Sequence, residues 1–172
     1  MGEETGALAL IDRKKNIFKL AQGEYVAPDK IEPVLSRSKW LAQIYLHGDS
    51  LQSFLVVIAV VNEENLKAWA AAHLPKLTTS SMHDICQAQA TRDMILRDLR
   101  GLCSQSGLKG FETPQNIHLV ATPWAPQDGL VTPTLKIKRK QVEGHYRKEI
   151  DALYREGISG QAEVPKSLNA KL

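Results

Sequence analysis

Lys136 is the residue in this chain whose type and surroundings best suit it to chemistry. It stands in the segment Thr132-Pro133-Thr134-Leu135-Lys136-Ile137-Lys138-Arg139, after a turn bounded by proline and at the start of a basic stretch with helical patterning. A lysine ammonium is a compact charge on a flexible stem, so from a loop it can reach a phosphate and a carboxylate together. ATP-driven activation of a carboxylate needs such a group. Short basic runs are more often solvated surface, so this segment alone does not decide the function.

A second basic segment, Asp12-Arg13-Lys14-Lys15-Asn16-Ile17-Phe18-Lys19, strengthens the functional interpretation of Lys136. Its first part, residues 12–16, separates two short predicted strands, residues 7–11 and 17–26. The pattern predicts a small hairpin or ribbon with the basic turn at its tip. Solvated turn residues are the alternative interpretation of these charges.

Composition indicates an ordinary globular domain. The chain has 172 residues, of which 24% are charged and 43% hydrophobic, and its net charge is +3. These values favour neither disorder nor a nucleic-acid-binding protein. The two cysteines, Cys86 and Cys103, are predicted to be free thiols in a reducing compartment. The five histidines lack the spacing of metal ligands, so no metal site is predicted.

No segment of the sequence is typical of a membrane span or a secretory signal. The longest apolar run, residues 54–61, is too short to cross a bilayer and predicts a core strand. A cytoplasmic location, or one on the cytosolic face of a membrane, is therefore expected. Structure is predicted to begin by Ala7 without a leader, as in a domain excised from a longer protein.

The order of predicted elements gives an α/β (α+β) fold with an N-terminal β-hairpin and a small mixed sheet flanked by helices. Strands are predicted at residues 42–47, 53–61 and 117–121, with 53–61 central because it is apolar on both faces.

Helices are predicted between and after these strands. Asp29 and Glu32 resemble a capping box that starts a short helix reaching about Ser36. Asn62 is predicted to cap the next helix, and residues 78–107 to form a helical insertion. The core face of a single final helix is marked by Val142, Tyr146, Ile150 and Leu153. Gly157 is expected to end that helix and to begin a flexible tail, residues 157–172.

Four motifs in order make the chain resemble the C-terminal lid domain of adenylate-forming enzymes, most closely the long-chain fatty acyl-CoA synthetases. Gly6-Ala7-Leu8-Ala9-Leu10-Ile11-Asp12-Arg13-Lys14-Lys15 is similar to the end of the fatty-acyl synthetase signature, and residues 17–26 to the loop that follows it. Leu108-Lys109-Gly110-Phe111-Glu112 and Gly129-Leu130-Val131-Thr132-Pro133-Thr134-Leu135-Lys136 match the same subgroup. Together the motifs cover most of the chain.

The resemblance implies a domain organisation and a reaction. In that family a large N-terminal domain binds ATP and the fatty acid, and the C-terminal domain rotates between adenylation and thioester formation. Residues 1–172 would then be the lid, with a hinge near residues 12–16 and with its own N-terminal domain as partner. ATP, CoA and Mg²⁺ would be bound mainly by or with that missing domain, so the isolated chain is expected to be inactive.

The resemblance also implies residue roles. Lys136 matches the lysine that neutralises the carboxylate and the α-phosphate during adenylation, while Leu135 stands where enzymes outside the long-chain group carry glycine. Arg13 and Lys19 match nucleotide-binding positions, and Lys15 matches the hinge. The loop implied to face CoA consists of Gln22, Gly23, Glu24 and Tyr25.

A non-catalytic module is the alternative hypothesis. The charges at residues 13–19 and 136–140 could bind an acidic protein or nucleic acid. Aromatic residues are not interleaved with these charges as a single-strand stacking platform requires, so nucleic acid is not expected. Retention on immobilised nucleic acid, compared with a nucleotide resin at rising salt, separates the two hypotheses.

Overall fold

The computed structural model describes residues 16–160, which include the whole of the basic segment 132–139 but only residues 16–19 of the basic segment 12–19. The predicted strand 7–11, Arg13 and Lys15 lie outside the described residues, as does the predicted tail beyond Gly160. None of the helices described between residues 16 and 160 has the length and apolarity needed to cross a membrane.

A two-stranded hairpin forms from residues that were predicted to be a single strand. Strands β1 (Phe18–Lys19) and β2 (Tyr25–Val26) pair antiparallel. The Leu20 N–H donates to the Glu24 carbonyl at 2.8 Å, which closes a tight turn. Gly23, at φ +95°, lets the chain reverse there because it carries no Cβ. The prediction of a hairpin is confirmed, but its strands both lie within residues 17–26.

Helix α1 (Pro28–Leu35) begins in a different way from the one predicted. Its N-cap is Ala27, which makes no side-chain capping bond, and Asp29 lies inside the first turn. Pro28 at the first helical position has its φ already fixed near the helical value, so the helix starts without a capping box. The predicted capping box is therefore wrong, and the Glu32 carboxylate is left for other partners.

The central sheet is mixed, as predicted. It has the order β3 (Leu41–His47), β4 (Leu55–Val61), β5 (Pro114–Val120), with β3 antiparallel and β5 parallel to β4. All seven residues of β4 are buried, which confirms the prediction of a central strand. A parallel pair needs a long crossover connection, and the helices between β4 and β5 supply it.

Three helices make this crossover. Helix α2 (Glu63–His73) is capped as predicted, because the Asn62 side chain accepts from the Asn65 N–H at 3.1 Å. Helices α3 (Met82–Gln87) and α4 (Gln89–Gln105) follow, with the break between them at Ala88. Both cysteines are buried in these two helices as free thiols, and burial raises the pKa of the Cys86 thiol to about 11.

Strand β4 divides the apolar interior into two layers, because successive side chains of a strand point to opposite faces. Leu55, Val57, Ala59 and Val61 pack in one cluster with helices α1 to α4. Val56, Ile58 and Val60 pack in a second cluster with Trp124, Leu130, Val131, Val142, Tyr146, Ile150 and Leu153.

Two helices, not one, cover the second layer. Helix α5 (Arg139–His145) and helix α6 (Arg147–Glu156) meet at Tyr146, whose φ of −102° and ψ of 23° interrupt the helix. The four apolar residues predicted to face the core are all buried, so the predicted core face is confirmed. The prediction of one continuous helix is wrong. Gly157, at φ +81°, ends α6 as predicted.

We expect Gly48→Ala to destabilise the chain by about 1–3 kcal/mol, as overpacking does elsewhere. A Cβ at Gly48 would overlap the ring of Phe18, which packs directly against this glycine. Urea denaturation measures the free energy of unfolding. Gly101→Ala in α4 is the matched control, since no atom lies within 4 Å of an added Cβ there. It should gain about 0.5–1 kcal/mol through helix propensity. Equal effects of the two variants would contradict the close contact.

Candidate functional site

The backbone of Lys136 is held on both sides in a short exposed loop. Val131 and Ile137 form an antiparallel bridge at its base. The Thr132 N–H donates to the Lys136 carbonyl at 2.8 Å, and the Lys136 N–H donates to Thr132 Oγ1 at 3.0 Å. The lysine side chain is exposed. Among residues 16–160 no carboxylate forms an ion pair with its ammonium, which is therefore available to an anion from outside this part of the chain.

Leu135 occupies a backbone conformation that usually belongs to glycine. Its φ is +63°, and it is the one non-glycine residue with positive φ in the described range. The Leu135 N–H donates to the Thr132 carbonyl at 2.8 Å. This is the arrangement of a hairpin turn that ends in a left-handed residue. Leu135 is 59% exposed, so burial offers it little compensation for the strain.

The turn of the β1–β2 hairpin uses the same hydrogen-bond pattern. The Leu20 N–H donates to the Glu24 carbonyl at 2.8 Å, and the Gly23 N–H donates to the Leu20 carbonyl at 2.9 Å. Gly23 and Leu135 thus hold equivalent places in two loops of one design. The hairpin turn carries glycine at this left-handed position, which is the residue type that the conformation favours. The loop of Lys136 carries leucine, which the conformation does not favour.

A charged clamp holds the C-terminal side of the loop that carries Lys136, residues 131–137, which we call the lysine loop. Arg139, three residues after Lys136, donates from Nη1 to Glu32 Oε1 at 2.7 Å and from Nη2 to the Leu46 carbonyl at 2.6 Å. The Leu46 N–H donates to the same Glu32 oxygen at 2.9 Å. The Arg139 guanidinium lies 4.9 Å from the Tyr45 ring centre, within the range of a cation–π contact. We refer to Glu32, Arg139 and the Leu46 backbone as the edge clamp.

A neutral pair of hydrogen bonds holds the other side of the loop. Gln43 donates from Nε2 to the Trp124 carbonyl at 3.0 Å and accepts from the Trp124 N–H at 2.7 Å. The Trp124 indole N–H donates to the Tyr146 hydroxyl at 2.9 Å, and burial raises the pKa of that hydroxyl. Both ends of the segment that carries Lys136 are therefore fixed to strand β3 or to the core beside it.

The predicted CoA-facing loop is also ordered by its own side chains. Gln22 Nε2 donates to Glu24 Oε2 and to the Ser53 carbonyl, both at 3.0 Å. Lys19 and Tyr25 pair across the hairpin, with the ammonium 5.7 Å from the ring centre. Tyr25 is 67% exposed, which leaves most of its ring free to contact something outside the described chain.

A cavity of about 390 Å³ lies between the start of the hairpin and helix α5. Phe18 lines it from one side, and Arg139 and Glu143 from the other. The two basic segments therefore flank one cavity, although neither Lys19 nor Lys136 lines it.

His47 lines this cavity and is buried. Its Nδ1 lies 3.0 Å from the Tyr45 hydroxyl. Burial lowers the pKa of His47, because the imidazolium would lose its hydration there. The charged lining contains acidic and basic side chains together, so its electrostatics do not by themselves favour an anion.

The sequence did not reveal the supports of the lysine loop. Glu32 was assigned to a capping box, and Gln43 and Tyr45 were interpreted only as strand residues. Arg139 was noted as the last residue of the segment that carries Lys136, but its partner lies 107 residues earlier in the chain. Pairing at that separation depends on the tertiary fold and leaves no local pattern.

The residues described here do not form a metal centre. No group of three or more His, Cys, Asp or Glu side chains between residues 16 and 160 is arranged to hold a metal ion. The Glu32 carboxylate of the edge clamp is paired with Arg139.

The left-handed Leu135 generates a stability prediction. We expect Leu135→Val to lower the free energy of unfolding by about 1 kcal/mol, because a β-branched side chain is poorly tolerated at positive φ. Leu135→Gly should lie within about 1 kcal/mol of the original chain, since relief of strain is offset by the greater freedom of glycine in the unfolded chain. Urea denaturation decides the order. Leu51→Val is the control, because Leu51 is 83% exposed and has no positive φ. A Leu135→Val chain as stable as the original would contradict the assigned strain.

Comparison with known proteins gives relatives over most of the chain. No protein-family model matches it. Long-chain-fatty-acid–CoA ligase 5 of Rattus norvegicus is 45% identical over 149 residues, which are 87% of this chain and 21% of the relative. Long-chain-fatty-acid–CoA ligase 6 of Homo sapiens is 46% identical over 149 residues, which are again 87% of this chain and 21% of the relative. Long chain acyl-CoA synthetase 7, peroxisomal, of Arabidopsis thaliana is 40% identical over 163 residues, 95% of this chain and 23% of the relative.

Solved structures with a similar fold are adenylation domains. The adenylation domain of a carboxylate reductase from Mycobacterium chelonae has a TM-score of 0.70 and 29% identity, covering 83% of this chain and 20% of that one. The A-PCP didomain of carboxylic acid reductase from Segniliparus rugosus, solved in complex with AMP, has a TM-score of 0.69 and 26% identity, covering 84% and 18%. The chain spans about a fifth of the length of the relatives it matches. It is a member of the long-chain acyl-CoA ligase family over a segment that corresponds to the C-terminal part of those enzymes.

Proposed function

We propose that this chain is the C-terminal lid domain of an ATP-dependent long-chain fatty acid:CoA ligase. The complete enzyme would convert fatty acid, ATP and CoA into acyl-CoA, AMP and diphosphate through an acyl-adenylate. The observation that carries the proposal is Lys136, whose exposed ammonium extends from a loop with a fixed backbone. Identity of 40% or more to such ligases over most of the chain supports it.

Lys136 would act in adenylation by electrostatic stabilisation. Attack of a fatty-acid carboxylate on the α-phosphorus of ATP brings two anions together and concentrates charge at the pentacoordinate phosphorus. An ammonium directed at both groups lowers the energy of that arrangement, and it does not have to exchange a proton. Because the loop backbone is already fixed, little rearrangement is needed when the substrates arrive.

The remaining assignments concern the basic hairpin and the rest of the enzyme. Arg13 and Lys19 would contact the nucleotide, Lys15 would lie at the hinge, and residues 22–25 would face the path of CoA. Mg²⁺ would be held with the phosphates, mainly by or with the chain's own N-terminal domain. A place in the cytoplasm or on the cytosolic face of a membrane fits these substrates.

A basic module that binds an acidic partner is less well supported. Arg139, one of the charges such a module would use, is taken up by Glu32. The relatives are ligases over nearly the whole of the chain, which gives the enzymatic role the stronger case.

Replacing Lys136 tests the proposal. In the complete ligase, Lys136→Ala should slow acyl-adenylate formation about a hundredfold, the usual effect of removing one well-placed electrostatic contact. Thioester formation from supplied acyl-adenylate should change far less, because the lysine is proposed to act in only one lid orientation. Diphosphate release measures the first half-reaction, and acyl-CoA formation measures the second.

Two variants sharpen this test. Lys136→Arg should restore little activity, because a planar guanidinium does not reproduce the compact ammonium charge. Lys138→Ala is the control, since it removes an exposed lysine from the same segment. Equal losses in both half-reactions for Lys136→Ala would show that the residue is structural.

The hinge assignment predicts a different separation of the half-reactions. Proline at position 15 would fix φ near −65° and remove a backbone donor. Lys15→Pro in the complete ligase should keep acyl-adenylate formation and lose CoA transfer, because the adenylation orientation would be trapped. Stopped-flow transfer from pre-formed adenylate is the measurement. Transfer at the wild-type rate would rule out Lys15 as the pivot.

A further inference from the structure

We propose that Glu32 is a positioning residue for Lys136 and that it acts through Arg139. The inference rests on the proposed adenylation role of Lys136. A carboxylate on helix α1 would thus determine where the lysine loop lies on the sheet. The Glu32 carboxylate bonds to Arg139 and to the Leu46 N–H and forms no ion pair with Lys136.

The first step of the argument is the geometry at the sheet edge. Strand β3 is an outer strand that pairs only with β4 among the strands described. Leu46 uses both of its backbone polar groups on side chains: its N–H donates to Glu32 and its carbonyl accepts from Arg139. The two side chains thus bond the strand edge as a neighbouring strand would, and they also bond each other.

The second step is the connection from Arg139 to the lysine. Only Ile137 and Lys138 separate the two residues. Ile137 is tied to Val131 by the bridge at the base of the loop, and the Lys138 N–H donates to the Leu130 carbonyl at 2.9 Å. The loop and the start of α5 therefore form one connected piece, and Arg139 joins this piece to the backbone of β3 by a hydrogen bond.

The third step is the effect of removing the charge. Arg139 and Glu32 are both mostly buried, with side chains 24% and 20% exposed. Without the carboxylate, Arg139 would lose its anionic partner in a place where water cannot fully replace it. We therefore expect the guanidinium to rotate towards solvent, and its hydrogen bond to the Leu46 carbonyl would be lost. Lys136 would lose its fixed place relative to the sheet, and the hydrogen bonds of its turn, which Arg139 no longer supports, would open more often.

The chain offers a closely matched control in a second ion pair. Lys30, on the same helix as Glu32, donates to Glu112 Oε1 at 2.7 Å. Its partner precedes strand β5 and has no contact with the lysine loop among the bonds described. Glu112→Gln therefore removes one carboxylate from an ion pair of α1 without disturbing the edge clamp.

The test uses the complete ligase with Glu32→Gln, which keeps the size of the side chain and removes its charge. We expect kcat for acyl-adenylate formation to fall at least about tenfold, because a displacement of about 1 Å can cost a hundredfold. KM for ATP and transfer from supplied acyl-adenylate should stay within about twofold, since only the position of Lys136 in the adenylating orientation is changed. Glu112→Gln should leave the ratio of the two half-reactions unchanged.

A double variant separates positioning from general destabilisation. In a Lys136→Ala background, Glu32→Gln should cause no further loss of adenylation, because the residue it positions is already absent. A further tenfold loss there would overturn the inference. So would equal losses in both half-reactions, or an equal effect of Glu112→Gln.

Hydrogen exchange gives a readout that does not depend on the reaction. In the complete protein, the amides of Leu135 and Lys136 should exchange faster in Glu32→Gln than in the wild type and should be unchanged in Glu112→Gln. Unchanged exchange in Glu32→Gln would overturn the positioning role. If the wild-type protein forms no acyl-adenylate, the proposed function fails, and exchange alone decides whether Glu32 orders the loop.

Discussion

The outer edge of strand β3 must satisfy its backbone polar groups, and the way it does so organises the lysine-bearing side of the molecule. A strand edge left open is also prone to pair with other chains. Here the edge clamp covers Leu46, and the Gln43 amide binds the backbone of Trp124. The satisfaction of the β3 backbone thus fixes one end of the segment that presents Lys136, and the Gln43 side chain of the same strand fixes the other end.

The architecture and the core could be predicted from periodic patterns. The apolar run of β4, the Asn62 cap and the buried face of the last two helices follow from the spacing of residues within one element. The points at which helices end were harder to predict from the sequence. Tyr146 interrupts a pattern that is continuous in sequence, and its hydroxyl is bonded to Trp124 in another part of the fold. Such breaks depend on tertiary packing, which a helical period does not encode.

The candidate site was only partly predictable. Lys136, Lys19 and the loop at residues 22–25 were found from motifs, and the structure gives each of them a defined backbone setting. The supports were missed because Glu32 matches a common local pattern, the capping box, that competes with its actual use. A carboxylate near a helix start has several possible partners, and local sequence does not say which of them the fold brings close.

The leucine in the left-handed position of the lysine loop has a consequence for how the loop meets a ligand. Glycine in that place would let the backbone sample many more conformations. A side chain with a Cβ narrows that sampling, although it adds strain at φ +63°. Ordering the lysine loop around an anion costs conformational entropy. Because of Leu135, part of that entropy is already lost when the chain folds, so less is lost when an anion binds.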